Sequence, residues 1–421
     1  MRLNDDVWRH TCSYGGAAEL ARLAVVGAAQ RGAVAASVGT KLRRPGATTR
    51  DLYLAELRAR SSSLRIAHQC DHENDMYVVT RDGALVQINA GADADRNAGD
   101  AWFPSQRWTL LGGARVVSVS AGARFLSAVT DAAHVFSMGC NEWGQLGLGW
   151  SDHDMVQAFA SVQSFARIET LSDIVSVACG YDYAIAVARD GSSYCWGRGD
   201  DFPVQCNDAF TGVEPRVETP TRLDTGGARI VAACAGDNAN ILITASGKLL
   251  GCGRNRHGEL GVGDDMHRDD FVQLGGDQLR GECIVKASTS YGCHTLAMTA
   301  TGTCYGFGSN ERGQLGKTDR FDRLSPELIP IPNVTDIYAI DIASYVVRNG
   351  KELHCMHLDF ESDDDGDPIQ YPPSMADGLI GGICGGVDAL SYLTSPKESS
   401  SEFLYEWVPG DDRPPRGGPL E

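Results

Sequence analysis

Short runs of apolar residues alternate with polar, glycine-rich segments along most of the chain. The runs from Ile174 to Val177 and from Ala184 to Val187 are typical, because each is brief and ends in a polar loop. Runs of this length bounded by turn residues predict short, buried β-strands. The segments between them do not show the periodicity of an amphipathic helix. The pattern therefore predicts an all-β protein.

A unit of roughly fifty residues recurs seven times, the period expected of repeat architectures. The first predicted strand of each unit begins near residues 64, 116, 174, 230, 284, 334 and 379. A second strand follows, and then a tight turn such as Asp190–Gly191, which suits a two-residue hairpin. A third and a more variable fourth strand complete the unit. Four short strands per repeat predict the blade of a β-propeller.

A glycine-rich motif follows the third strand in three of the repeats. The copies share glycine, asparagine and leucine at fixed positions, namely Gly139, Asn141, Gly144, Leu146 and Gly147; Gly253, Asn255, Gly258, Leu260 and Gly261; and Gly308, Asn310, Gly313, Leu315 and Gly316. Glycine allows backbone angles that other residues resist, and the leucine is expected to anchor the loop between blades.

These motifs resemble the regulator of chromosome condensation repeat family, over about residues 22–407. The resemblance implies a seven-bladed β-propeller of four-stranded blades. It also suggests an activity, because the founding member of the family is a nucleotide exchange factor for the Ran GTPase. Asp182 and His294 resemble contacts of that exchange site, whereas Ala123 and Arg124 stand where an acidic residue is expected.

The last repeat is short, so its outer strands are expected from the other end of the chain. Residues 22–57 are predicted to supply them, so that N-terminal strands pair with the C-terminal blade. Such closure would leave fewer exposed sheet edges, which otherwise invite aggregation. Residues 1–21 are then an N-terminal extension, and residues 408–421 a disordered tail rich in proline and glycine.

The chain is acidic, with a formal net charge of −18. Loops between the first and second strands carry an acidic rim of partner-binding candidates, joined by one aromatic residue and one histidine: Asp71, Glu73, Asp75, Tyr181, Asp182, Asp237, His294, Asp341 and Asp388. One interpretation is that the loops are acidic only because the protein is. The other is a docking surface for a basic partner, whose binding would weaken with salt.

No phosphate-binding loop, nucleophile elbow or metalloprotease helix is found in the sequence, and neither a metal site nor a cofactor is expected. We therefore expect a non-catalytic scaffold or adaptor in a larger assembly. The alternative is an exchange factor for a Ran-type GTPase.

The expected partner is a protein, either a small GTPase or a basic protein. The acidic charge disfavours direct nucleic-acid binding, and the interrupted apolar stretch Leu20 to Val38 disfavours membrane insertion. The propeller itself is expected to be monomeric and intracellular, in the cytoplasm or nucleus, with a mitochondrial location left open.

Overall fold

The computed structural model describes a discontinuous set of residues that covers most of the predicted repeats. These are residues 66–68, 75–80, 82–89, 104–150, 162–199, 216–236, 239–289, 291, 293–317, 319–350, 352–356, 378–385, 390–396, 403–407 and 416–419. Within these ranges, the only helices or strands that form are β-strands.

The strands form seven antiparallel sheets in chain order. Sheet 1 contains β1 (Ile66–His68), β2 (Asp75–Val79), β3 (Leu85–Asn89) and β4 (Pro104–Trp108). Sheet 2 contains β5 (Val116–Ala121), β6 (Phe125–Thr130), β7 (Val135–Gly139) and β8 (Val162–Arg167). Sheet 3 contains β9 (Ile174–Cys179), β10 (Tyr183–Ala188), β11 (Ser193–Arg198) and β12 (Arg216–Arg222).

The remaining sheets repeat this arrangement. Sheet 4 contains β13 (Ile230–Ala235), β14 (Ala239–Thr244), β15 (Leu249–Gly253) and β16 (Arg268–Gln273). Sheet 5 contains β17 (Ile284–Thr289), β18 (His294–Thr299), β19 (Cys304–Gly308) and β20 (Arg323–Ile329). Sheet 6 contains β21 (Val334–Ile340), β22 (Ala343–Arg348) and β23 (Glu352–Met356). Sheet 7 contains β24 (Gly378–Gly385), β25 (Leu390–Pro396), β26 (Phe403–Trp407) and β27 (Arg416–Pro419).

The sheets are arranged as blades around a ring. The first strand of each sheet lies beside the first strand of the next, and β24 of sheet 7 lies beside β1 of sheet 1. The prediction of an all-β propeller built from four-stranded blades is confirmed. Six sheets have four strands, whereas sheet 6 has three within the described residues.

The C-terminal blade is completed differently from the prediction. Its third and fourth strands are β26 and β27, which pair in register from Phe403–Pro419 to Glu406–Arg416. The prediction that N-terminal strands supply this edge is wrong, because the C-terminal segment already fills both places. The proposed disordered tail likewise contains β27. Residues 1–57, including the predicted extension and outer strands, lie outside the described residues.

Apolar residues fill the space between neighbouring blades. The second strands β6, β10, β14 and β18 are buried along their whole length. Trp196 of sheet 3 is fully buried, and its ring lies 3.0 Å from where a Cβ on Gly147 of sheet 2 would stand. Phe307 of sheet 5 meets Gly261 of sheet 4 in the same way, at 2.8 Å. Gly147 and Gly261 therefore each leave room for an aromatic ring of the next blade.

Buried cysteines occupy several of these blades as free thiols. Cys179 lies in sheet 3, Cys252 in sheet 4, Cys304 in sheet 5 and Cys355 in sheet 6. Burial raises the pKa of Cys179 to about 11 and that of Cys304 and Cys355 to about 12. Cys234 of sheet 4 is only partly buried, and the side chain of Cys384 is not described.

Candidate functional site on the loop face

Two kinds of connection emerge on the same side of the ring, which we call the loop face. They are the connections between strands one and two and between strands three and four of each sheet. Antiparallel order within each sheet puts both at one end. The hairpin turns between strands two and three, and the links between blades, lie on the opposite turn face.

The asparagine of each motif holds its loop in shape through both ends of its side chain. In each copy the asparagine Oδ1 accepts a bond from the leucine amide, at 3.0 Å for Asn141–Leu146, 2.8 Å for Asn255–Leu260 and 3.0 Å for Asn310–Leu315. The amide nitrogen Nδ2 donates to a backbone carbonyl farther along the loop, that of Trp150, Asp264 or Lys317. The three asparagines are fully buried, so these bonds satisfy groups that water cannot reach.

The same loops join each blade to the next. The indole Nε1 of Trp196 donates to the carbonyl of Gln145 at 2.9 Å, and Thr295 Oγ1 donates to the carbonyl of Glu259 at 2.9 Å. The three motif leucines are buried, and their role as anchors between blades stays a prediction. The motif is thus a structural joint rather than a binding residue set.

An aromatic and cationic group lies where sheets 2 and 3 meet. Trp143 of the first motif loop is contacted by two guanidinium groups of sheet 3, with Arg198 at 4.8 Å and Arg216 at 5.3 Å from the ring centroid. Trp150, at the end of the same loop, is 41% exposed. We call Trp143, Trp150, Arg198 and Arg216 the Trp143 site. Tryptophan and arginine in this arrangement are typical of interface anchors.

A charged group borders the Trp143 site. The Arg124 guanidinium donates to Glu142 Oε2 at 3.2 Å. Burial opposes the charge of Arg124, but the neighbouring Cys140, Glu142 and Asp182 raise its pKa overall. Arg124 therefore stays charged, and its side chain is bound to Glu142 of the same blade.

Two tyrosines connect non-adjacent blades on this face. The rings of Tyr181 from sheet 3 and Tyr291 from sheet 5 form an edge-to-face pair with centroids 5.7 Å apart. The backbone carbonyl of Tyr181 also accepts a bond from the amide of Ala123 in sheet 2, at 3.0 Å. The loops of sheets 2, 3 and 5 are therefore linked on this face, and the predicted candidate Tyr181 takes part.

Two other candidate residues of the acidic rim are buried in the structure. His294 is fully buried, and its Nε2 lies 2.8 Å from Ser344 Oγ of sheet 6. Asp182 is only 4% exposed. Both side chains are thus covered in this structure, and their contact with a partner stays a prediction.

The rest of the acidic rim is only partly described. Asp341 is half-buried in a left-handed turn, with a φ of 49°. Asp75 begins β2, and its side chain is not described. Four further members of the predicted rim lie outside the described residues, namely Asp71, Glu73, Asp237 and Asp388. Their partner-binding role stays a prediction.

Arginines from the strand three to strand four connections change the charge expected for this face. The described connections and their adjoining strand ends contribute Arg198, Arg216, Arg254, Arg256, Arg312 and Arg320. The acidic rim was predicted from the charges of the loops between strands one and two alone, so the prediction did not include these arginines. The described part of the loop face is mixed in charge rather than uniformly acidic.

Neither a metal cluster nor a membrane helix is found in the described parts of the chain. No group of three or more His, Cys, Asp or Glu side chains there could hold a metal ion. No helix there is long and apolar enough to cross a bilayer.

Comparison with known proteins places these repeats in a family. The profile of the regulator of chromosome condensation (RCC1) repeat matches residues 133–187 and 301–344, and a second RCC1 repeat profile matches residues 174–202 and 284–314. These matches include two of the three motif copies, those of sheets 2 and 5, together with parts of sheets 3 and 6. These parts of the propeller are RCC1 repeats.

Three characterised relatives match about half of this RCC1-type chain. The ultraviolet-B receptor UVR8 of Arabidopsis thaliana is 31% identical over 223 residues, which are 53% of this chain and 48% of the receptor. The serine/threonine-protein kinase Nek9 of Xenopus laevis is 28% identical over 53% of this chain and 24% of the kinase. The probable E3 ubiquitin-protein ligase HERC4 of Rattus norvegicus is 29% identical over 51% and 24%. The match thus spans about half of the receptor and a quarter of the two enzymes.

Solved structures share the fold at lower identity. Human WBSCR16 superposes with a TM-score of 0.60 and 18% identity, over 76% of this chain and 87% of that one. Prp20p of Saccharomyces cerevisiae, a protein with binding properties toward Gsp1p and histones, gives a TM-score of 0.56 and 17% identity over 74% and 78%. These likenesses support the propeller architecture of the RCC1-type chain.

Proposed function

We propose that this RCC1-type propeller is a non-catalytic scaffold that binds a protein partner through its loop face. The Trp143 site is the observation that carries the proposal. It places two tryptophans on a loop that Asn141 holds in shape, next to two arginines from strands of sheet 3. A rigid surface loses little conformational entropy on binding, so more of the contact energy becomes affinity.

The alternative function is nucleotide exchange on a small GTPase. The shared fold with Prp20p favours this second candidate, since that protein has binding properties toward Gsp1p. Burial of Asp182 and His294 argues against it, because these are the positions that resemble exchange contacts. The scaffold is therefore the function that the described geometry supports best.

The proposal is tested by recovering the partner with matched variants. We expect Trp143→Ala and Trp150→Ala each to weaken capture of the protein retained by the wild type, by roughly tenfold or more in affinity for an anchor residue. Leu110→Ala is the control, because Leu110 is 51% exposed in the link between sheets 1 and 2 on the turn face. Equal loss of binding in all three variants, or in none, would contradict the proposal.

A nucleotide-release assay separates the two functions. If the captured protein is a GTPase and the purified chain accelerates release of its bound nucleotide, the exchange factor replaces the scaffold. Capture of a protein without nucleotide release leaves the scaffold standing. Thermal melting of each variant shows whether a loss of binding reflects a loss of folding.

A further inference from the structure

A five-residue clamp is repeated where sheets 4 and 5 begin their fourth strands. It has aspartate first, a large apolar residue third and arginine fifth. The copies are Asp264 to Arg268, with Met266 at the centre, and Asp319 to Arg323, with Phe321 at the centre. Both copies lie on the loop face, in the connections that follow the second and third motif loops.

The bonds of the clamp are the same in both copies. Asp264 Oδ1 accepts the amide of Met266 at 3.0 Å, and Asp319 Oδ1 accepts the amide of Phe321 at 3.1 Å. The arginine closes the ring by donating to the other carboxylate oxygen, at 2.7 Å for Arg268 and 2.6 Å for Arg323.

Each clamp arginine also donates to the carbonyl of the central apolar residue. Hydrogen bonding to the arginine is the main reason that the pKa of Asp264 and of Asp319 lies below the usual value. The backbone of Met266 and Phe321 is therefore held at both its amide and its carbonyl.

This clamp turns large apolar side chains toward solvent. Met266 is 63% exposed and Phe321 is 71% exposed, the two highest values among the large apolar side chains whose exposure the structure describes. Leu324, the residue after the second clamp, is 38% exposed. Such exposure leaves apolar surface in water, so a partner that covers these side chains would gain the free energy of their burial.

The two clamps belong to one surface. His257 Nδ1 of the sheet 4 loop lies 2.8 Å from Asp322 Oδ2 of sheet 5. The amide of Gly263 donates to the carbonyl of Leu324 at 2.8 Å. Met266 lies three residues after Gly263, and Phe321 directly precedes Asp322. We call Met266, Phe321 and Leu324 the clamp patch.

The charge around the clamp patch is predominantly negative. The clamp arginines are largely covered, since their side chains are 23% exposed for Arg268 and 12% for Arg323. Asp265, Asp269 and Asp270 are exposed beside Met266. Glu327, beyond Phe321, is also exposed but is paired with Arg323 and Lys317. Arg320 is the exposed arginine next to Phe321.

We propose that the clamp patch is a second docking surface, which takes a segment of a partner protein with apolar side chains flanked by lysine or arginine. The exposed apolar side chains supply the anchor, and the carboxylates around them select a basic flank. The inference extends the proposed scaffold function but uses residues distinct from the Trp143 site, so each surface can fail without the other.

The proposal is tested with three labelled synthetic peptides on the full chain. One alternates lysine with leucine, one glutamate with leucine, and one lysine with serine. We expect the lysine–leucine peptide to bind most tightly in fluorescence anisotropy, and more weakly at higher salt. Met266→Ser combined with Phe321→Ser should weaken it by about tenfold or more, whereas Leu110→Ser on the turn face should not.

Several results would overturn the proposal. Equal binding of the lysine–serine peptide would show that charge alone acts, and preference for the glutamate–leucine peptide would reverse the selectivity. Absence of lysine–leucine binding, or binding unchanged in the double variant, would remove the surface. Sedimentation velocity covers another occupant: a dimer of the wild type that dissociates in the double variant would assign the clamp patch to a second copy of the chain.

Discussion

Two buried histidines in sheets 5 and 6 differ in their polar surroundings. His294 is fully buried, with Ser344 Oγ 2.8 Å from its Nε2. His354 is 8% exposed, and its Nε2 has no hydrogen-bond partner among the described residues. Burial lowers the pKa of His354, and the positive charge of Arg348 adds to the effect. The folded state therefore holds His354 in its neutral form.

This state of His354 should make stability depend on pH. The unfolded chain binds a proton near the usual pKa of 6.5, whereas the folded chain binds it only at lower pH. The contribution of His354 is thus fully present above that pH and is lost as the pH falls below it. We expect His354→Gln to reduce the loss of unfolding free energy between about pH 7 and pH 5, measured by urea denaturation.

His134→Gln provides the comparison, because it replaces the same residue type in a hairpin turn on the turn face. An unchanged pH dependence in His354→Gln would show that His354 does not titrate with folding. A change of equal size in both variants would assign the effect to histidine number rather than to burial.

At the scale of the structural element, each motif loop packs closely against the next blade. A Cβ on Gly258 would stand 2.6 Å from Leu324 Cα and 2.8 Å from the Arg323 carbonyl, and the residue has a φ of +84°. Gly144 meets Glu218 of sheet 3 in a similar way, at 2.8 Å. These glycines are required both for their backbone angle and for close contact between blades.

Gly258→Ala should therefore destabilise the protein by more than the backbone angle alone explains. Gly263→Ala is the matched control in the same loop, because its φ is +96° but a Cβ there would meet only Ser325 Oγ at 3.6 Å. We expect the control to lose roughly 1–2 kcal/mol from its left-handed backbone, and Gly258→Ala to lose clearly more. Urea denaturation gives both values, and equal losses would show that the contact with sheet 5 is unimportant.

The sequence predicts elements of this kind well, because their residues are fixed by local geometry. The glycine, asparagine and leucine positions of the motif mark loops whose bonds the structure contains. The strand β27 was missed, since Arg416 to Pro419 has the composition of a tail and becomes a strand only by pairing with β26. The clamp patch could not be predicted for a related reason. The exposure of Phe321 depends on hydrogen bonds that involve Asp319 and Arg323, and the sequence alone does not show that these bonds form.

At the scale of the whole molecule, sheet 7 is the blade that closes the ring. Its first strand, β24, lies between β21 of sheet 6 and β1 of sheet 1. Its outer strand, β27, pairs only with β26 among the described strands. Loss of the blade would open the ring, whereas loss of β27 would only shorten one sheet.

Two truncations test this difference. Deletion of residues 378–421 should abolish cooperative thermal unfolding and cause aggregation, because the first strands on both sides lose their neighbour. Deletion of residues 416–421 removes β27 alone and should keep a single cooperative transition at a lower temperature. Calorimetry with size-exclusion chromatography measures both. A monomeric, cooperatively melting product of the longer deletion would show that closure of the ring is dispensable.

The buried thiols give the ring its own reporters of local opening. Cys179, Cys304 and Cys355 lie in three different sheets, and their raised pKa values keep the sulfurs protonated while they are covered. An alkylating reagent reacts with the thiolate, so it will modify each of these sulfurs only when its own sheet separates from its neighbours. The order in which they are modified under native conditions will therefore reveal where the circle gives way first.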